Sequence, residues 1–394
     1  MFDKVPRSEK NWEDLATKHG LQNASLHDGF SCSSASGIED QPFLLLRIIW
    51  PRTATLESLN LSFWKKWVDG DNFGQAKTIL ENQTPGWKSY IRSLGQTQQQ
   101  LKATGFAGLE TFSLVRHHQL ASQNFVDNTA SFIQKLDFTP VAMRTRAHAA
   151  LSKPVSQPTT PTPSRNAPKL EDLLEDLDVS PRGDLPPRPE TPFPFEPFSP
   201  LSGALADQFK AIQDEQIVNT ALILYLDALI IHCTRVRGQW SLHRRGFIAR
   251  NKNYQKTYEA RVDGLLQKDV TGEPLAILEV KPFLRYQKGE STKSIKKQEG
   301  AQMAAWISQH PPPHLQVMRR QKSRTARMLI SQDRHEIYLT FASFDASYVD
   351  YMQHRTNQSS LLEMWEYGPF LISEPEHMKT LGVVVLAYVL QVCC

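Results

Sequence analysis

Cysteine is scarce in this chain, and its placement builds no framework. The four residues, Cys32, Cys233, Cys393 and Cys394, show neither paired spacing nor a C-x-x-C step. That argues against a disulfide-stapled scaffold and a structural zinc module, and a reducing compartment is the expected setting. Long apolar runs are missing too. The opening residues, Met-Phe-Asp-Lys-Val-Pro-Arg-Ser-Glu-Lys, contain no apolar signal core. The run Leu381 to Leu390 is too short to span a bilayer and reads as a helix docked on a core. The expected location is intracellular, nuclear or cytoplasmic, with no membrane partner. No glycine-rich phosphate loop or nucleophile elbow occurs in residues 1–150, which leaves that region without a recognisable catalytic motif.

Net charge is low as well, at +4 over 394 residues, but it is unevenly spread. Residues 231–330 carry about +13 and residues 165–199 about −4, counting Lys and Arg against Asp and Glu. A basic block of that size suits a polyanionic partner. Residues 151–200 hold about half of the chain's 25 prolines, interleaved with Thr and Ser. Such a composition cannot bury enough apolar surface to offset its ordering entropy, so 151–204 reads as a disordered linker. Within it the acidic amphipathic stretch 170–179 is either a solvated spacer or a helix that folds on a protein partner. The Pro-Phe-Pro-Phe-Glu-Pro-Phe run at 192–198 marks a boundary.

Residues 1–150 read as a mainly helical region, packed on the rest or independent of it. Leu44 to Trp50 resembles a short buried strand ended by Pro51, whereas Leu56 to Trp67, Trp87 to Leu101 and Leu114 to Leu136 show helical spacing. His117-His118 reads as a solvated turn of helix, since neighbours on a helix diverge by about a hundred degrees. Trp64, Trp67 and Trp87 read as core.

The chemistry concentrates further on. Arg261-Val-Asp-Gly-Leu-Leu is followed by Leu275-Ala-Ile-Leu-Glu-Val-Lys-Pro and then by Gln298-Glu-Gly-Ala-Gln-Met-Ala-Ala-Trp306. On a strand, Glu279 and Lys281 share a face while Val280 points the other way. Leu275 to Val280 is otherwise apolar, as in a strand covered on both sides, and a carboxylate there is costly unless it is paired or binds a cation. Asp263, one hairpin upstream, supplies a second acid, and Gly264 allows a tight turn beside it. Gln298 and Gln302 share a face of the following helix with Trp306, and Glu299 reads as solvated.

Asp263, Glu279-x-Lys281 and a helix bearing Gln302 resemble the PD-(D/E)XK nuclease-like superfamily, and more closely the nuclease-like domains of many uncharacterised fungal proteins. Asp214-Glu-Gln-Ile-Val-Asn-Thr-Ala-Leu before the motif and His377-Met-Lys-Thr-Leu-Gly after it are similar to flanks of that group. The resemblance covers about residues 205–392. It implies an α/β (α+β) fold with a restriction-endonuclease-like core, a central mixed sheet flanked by helices, over 205–394. It further implies Mg²⁺ (or Mn²⁺) held by Asp263 and Glu279 with the carbonyl of Val280, and Lys281 stabilising developing charge or positioning water. Gln302, with Gln298 as alternative, would orient ligands or substrate. Glu215, on a long helix from Ala206 to Cys233, matches a supporting metal carboxylate, although a helix dipole explains it equally.

Strands are expected at 243–250 and 256–266, and a polar basic loop from Arg285 to Lys297. A hairpin over Met328–Ser331 and Glu336–Phe344 should turn near Asp333-Arg334, and two closing helices at about 346–356 and 376–391 follow. The run Arg319, Arg320, Lys322, Arg324 and Arg327 suits phosphate contact, nuclear import or a solvated loop. The ending Cys393-Cys394 resembles a prenylation signal but follows a segment that reads as buried. Three readings stay open: an active nuclease on DNA or RNA, an inactive nuclease-fold nucleic-acid-binding module, and a protein-interaction scaffold.

Overall fold

The computed structural model describes residues 4–27, 34–53, 56, 61–97, 99–101, 105–123, 203–251, 253–286, 289–356 and 360–394. The chain divides into two units, residues 1–133 with 209–394, and residues 134–208. The linker expected at 151–204, with its segments 170–179 and 192–198, lies outside the described residues except for its last two positions, which begin a helix. Cys32 lies outside them too.

In the first unit the N-terminal residues form helices α1 (Glu9–Lys18) and α2 (Asp40–Leu45), strand β1 (Ile48–Ile49), and helices α3 (Leu61–Trp64), α4 (Gly70–Asn82), α5 (Trp87–Ser93) and α6 (Ser113–Gln123). Helix α7 (Gly203–Ile230) then leads into β2 (Gly238–Ser241), β3 (Gly246–Arg250), β4 (Lys256–Arg261), β5 (Gly264–Lys268) and β6 (Pro274–Lys281). Helices α8 (Gly289–Gln309) and α9 (Leu315–Gln321) precede β7 (Arg324–Asp333) and β8 (Glu336–Asp345), and α10 (Ala346–Met352), β9 (Leu362–Leu371) and α11 (Pro375–Cys393) follow.

Seven strands make one mixed sheet in the order β1-β9-β8-β7-β6-β5-β2, while β3 and β4 form a separate hairpin. β6 runs parallel to β7 and β1 parallel to β9; the other neighbours are antiparallel. Alternation along β6 explains how the sheet is covered. Ala276, Leu278 and Val280 face one apolar layer built with Leu222, Leu226 and Val384, and Ile277 faces the other, with Phe43, Trp306 and Tyr348. Helices therefore flank a mixed sheet, as expected of the coarse fold.

Of the two arrangements open for residues 1–150, packed on the rest or independent of it, the described residues have the first. Trp64 and Trp67 sit in one layer, where the Trp67 ring stacks on Phe341 at 5.0 Å, and Phe43 and Leu44 sit in the other. Short helices cannot bury their apolar stripes alone; here the two sheet faces bury them. Within Leu44 to Trp50 only Ile48–Ile49 is strand; Leu44 and Leu45 end helix α2, and Leu46 and Arg47 turn between the two. A fully buried helical turn and a buried strand look alike over so few residues.

Other elements differ in extent. The strand expected over 256–266 is two strands in two sheets, parted at Val262-Asp263. Helix α8 begins at Gly289, inside the expected loop. The helices expected to reach Trp67 and Leu101 end at Trp64 and Ser93, and of Leu114–Leu136 the part beyond Gln123 lies outside the described residues. β9 has no counterpart among the expected strands, and it contains Gly368-Pro369, a pair that interrupts a strand pattern. Pro369 lies where the β8–β9 register shifts, a place in a sheet that tolerates proline. Helix α11 is long and apolar enough by length and composition to cross a bilayer, yet Leu381 to Leu390 are buried in the core.

Candidate functional site

Asp263 occupies the step where the chain leaves the β3–β4 hairpin and enters the main sheet. Its N–H donates to the Leu278 carbonyl at 3.0 Å, and its carboxylate Oδ2 accepts the Val280 N–H at 3.1 Å. The first acid is thereby fixed beside the strand that carries the second. Gly264 next to it is needed for space rather than for a turn: a Cβ there would lie 2.7 Å from the Ser241 carbonyl oxygen on β2.

Glu279 is only 2% exposed and points toward α8. The Lys281 ammonium donates to its Oε1 at 2.5 Å, the Gln298 amide to Oε1 at 2.6 Å, and the Gln302 amide to Oε2 at 2.6 Å. Gln302 also donates to the Arg261 carbonyl at 2.7 Å, joining the helix to the end of β4. Glu215 projects from α7, and Arg244 bridges it to Asp263, at 2.7 Å and 3.2 Å respectively. Asn219, one helical turn after Glu215, donates to the Asp263 carbonyl at 3.3 Å. The six residues expected at the site, Asp263, Glu279, Lys281, Gln298, Gln302 and Glu215, are thus brought together.

The electrostatics follow from burial. Desolvation pushes the Glu279 carboxyl up to about 8, Asp263 adds to the rise, and Lys281 opposes it. Glu215 is likewise raised, by burial first and then by Asp263. Burial alone would lower the Lys281 ammonium, but Glu279, Asp263 and Glu215 together hold it above its ordinary value. Lys281 and Arg244 thus lie among three acids, of which burial holds Glu279 and Glu215 toward their protonated forms.

This donor set fits a hard dication. Carboxylate oxygens of Asp263 and Glu279 and the Val280 carbonyl are the ligand types that Mg²⁺ and Mn²⁺ prefer. Gln302 also keeps a buried Oε1 that has no hydrogen-bond partner. As placed, the acids are not closed on one point: among the described residues no group of three or more His, Cys, Asp or Glu is spaced to hold a metal ion. Three donors occupy the Glu279 carboxylate, two on Oε1 and one on Oε2.

A second buried constellation abuts the site. Arg285, fully buried, donates to Asp333 at 2.5 Å, Glu366 at 2.7 Å, Glu299 at 2.9 Å and Ser331 at 2.7 Å, and its guanidinium lies 3.9 Å from the centre of the Tyr338 ring. The backbone joins it to Lys281, whose carbonyl accepts the Arg334 N–H at 2.8 Å. Glu299, read as solvated, is instead completely buried. Its signal was present: Ile295, Glu299, Gln302 and Trp306 recur at four, three and four, one stripe of a helix.

The basic run is mostly engaged. Arg319 pairs with Asp350 at 2.5 Å, Arg324 with Glu363 at 3.2 Å and more loosely with Asp345, and Arg327 lies over the Trp306 ring at 4.2 Å while donating to the His310 carbonyl. Burial lowers the Arg327 guanidinium to about 10. Arg320 and Lys322 remain exposed. Arg244, which touches both Glu215 and Asp263, had no signal in the sequence pattern, whereas Asn219 lies in the flank Asp214–Leu222, four residues after Glu215.

No family model, curated protein or solved structure matches the chain.

Proposed function

We propose that this chain is a PD-(D/E)XK-type phosphodiester hydrolase with a restriction-endonuclease-like core, dependent on Mg²⁺ or Mn²⁺ and acting on DNA or RNA. The observation that carries the reading is Glu279: a carboxylate inside an apolar sheet, beside Lys281 and Asp263, gripped by two glutamine amides from one helix. Such an acid raises the cost of folding unless its charge is used.

Asp263 and Glu279, with the Val280 carbonyl, would hold the ion, and Glu215 would support it through its contact with Arg244. When bound, the ion supplies Lewis-acid polarisation of a phosphoryl oxygen and a lowered pKa for water. The protein's own contributions are separate. Lys281, kept protonated by its acidic neighbours, places a positive charge where a phosphorane develops negative charge. Gln298 and Gln302 fix the carboxylate plane of Glu279, and the Val280 N–H fixes that of Asp263.

A second reading, an inactive nuclease-fold binding module, is favoured by the occupation of Glu279 by three donors. Incubating labelled single- and double-stranded DNA and RNA with the purified protein in Mg²⁺ and Mn²⁺ separates the two. Hydrolysis by the parent that is lost in Glu279→Ala and Lys281→Ala supports the enzyme. Intact substrates under all conditions remove it, and binding that persists then supports the module.

A further inference from the structure

The hairpin β3–β4 stands outside the main sheet and runs directly into Asp263. Its inner face is anchored: Phe247, Ala249, Tyr258 and Ala260 are buried, and the Tyr258 hydroxyl donates to the Ala301 carbonyl of α8 at 3.0 Å. Arg250, Lys256 and Arg261 are exposed, whereas Arg244 turns to Glu215 and Asp263 and Arg245 to the Gly272 carbonyl. Residues 243–261 hold six lysines and arginines against one glutamate, a net +5 where the entire chain carries +4. The glutamate, Glu259, is bracketed by Lys256 and Arg261 at 2.7 Å each, both well exposed.

Its tip is built to present one aromatic ring. Tyr254 is 82% exposed and has φ +59°, a left-handed backbone that costs a bulky residue energy unless the turn imposes it. The turn does impose it. The Asn251 side chain accepts the N–H groups of Asn253 and Gln255 at 2.9 and 3.0 Å, Asn251 accepts the Tyr254 N–H at 2.9 Å, and Arg250 donates to the Tyr254 carbonyl at 2.8 Å. At the opposite end Gln302 holds the Arg261 carbonyl, so the arm is tied to the helix that grips Glu279. From Lys256 to Arg261 strand β4 spans about 17 Å, the rise of about five nucleotides along one strand of duplex.

We infer that this hairpin is the substrate-holding arm of the site, with Tyr254 stacking on an unpaired base and Arg250, Lys256 and Arg261 lining the phosphates between the tip and Asp263. The inference rests on the phosphodiesterase reading above and sharpens it: the preferred substrate has unpaired nucleotides. A ring on a fixed turn needs an open base face, which a blunt duplex does not offer, and cations along a strand follow a backbone without reading sequence.

Fluorescence anisotropy of the full chain in EDTA tests this without hydrolysis, using a labelled 20-nucleotide single strand and the matching blunt duplex (a length of about this size covers the arm). The single strand should bind more tightly. Tyr254→Ala should weaken it about tenfold while leaving the duplex unchanged, and Tyr254→Trp should retain affinity. Lys256→Gln should reduce the slope of log affinity against log salt by about 0.7. Tyr254 is solvent-facing, so an unchanged melting temperature verifies that each variant is folded. Equal binding of the single strand by parent and Tyr254→Ala overturns the arm and leaves the hydrolase reading standing. A tyrosine-dependent preference in a protein that cuts nothing keeps the arm and removes the hydrolase. A parent that binds neither probe also overturns the arm, and the cleavage assay in Mg²⁺ and Mn²⁺ then decides the hydrolase separately.

Discussion

Glu279 holds a proton more tightly than a free carboxylate does, because burial raises it to about 8. A cation must displace that proton, so Mn²⁺ affinity measured by calorimetry should rise from pH 6 to about pH 8 and level off above. Glu279→Gln should abolish the heat of binding at every pH; a pH-independent affinity in the parent would contradict the assignment. Asp227 on α7 gives a test of the same physics away from the site. Burial raises its carboxyl to about 6, with the Trp240 N–H pulling the other way. The native state therefore favours the protonated form. Its contribution is fully present below the ordinary value of 3.8 and is lost as pH rises through about 6. Asp227→Asn, which keeps the acceptor for Trp240, should melt higher than the parent at pH 8 and no higher at pH 3.5.

Helix α8 shows what an element adds to its residues. One stripe of it, Ile295, Glu299, Gln302 and Trp306, reaches the core, the Arg285 constellation and Glu279 at once. Removing Arg285 leaves Glu299, Asp333 and Glu366 buried around an empty place. Arg285→Ala should cost about 3–5 kcal/mol by urea denaturation; a loss under about 1 kcal/mol would show that the acids carry no net charge there. The motif strand was legible because its apolar run is broken only at Glu279, and the glutamine face of α8 was legible from spacing. Glu299 was not, since a charged residue on an apolar stripe was read by its type rather than its phase. Arg285 lies in a loop with no periodicity, and its four partners come from α8, β7 and β9, up to 81 residues further along the chain. No local pattern carries such a contact. β9 contains Gly368-Pro369, a pair that interrupts a strand pattern, and Arg244 is tied to Glu215 only through the fold.

At the scale of the molecule the N-terminal residues complete the core that carries the site. β1 extends the main sheet, Trp64 and Trp67 cover one face, and Phe43 and Leu44 the other. Residues 203–394 produced alone should therefore expose both faces and fail to unfold cooperatively by circular dichroism and urea titration; a sharp transition equal to that of the full chain would show that the N-terminal part is dispensable. This composite core had no signature in the helical spacing of residues 56–136, which shows that apolar faces exist but not which surface receives them. A cation held between two acids of this core should be visible in crystals of the full chain soaked in Mn²⁺. The expected result is an anomalous peak about 2.0–2.3 Å from carboxylate oxygens of both Asp263 and Glu279. A saturated soak that leaves Glu279 bound to Lys281, Gln298 and Gln302 with no peak beside Asp263 would contradict it.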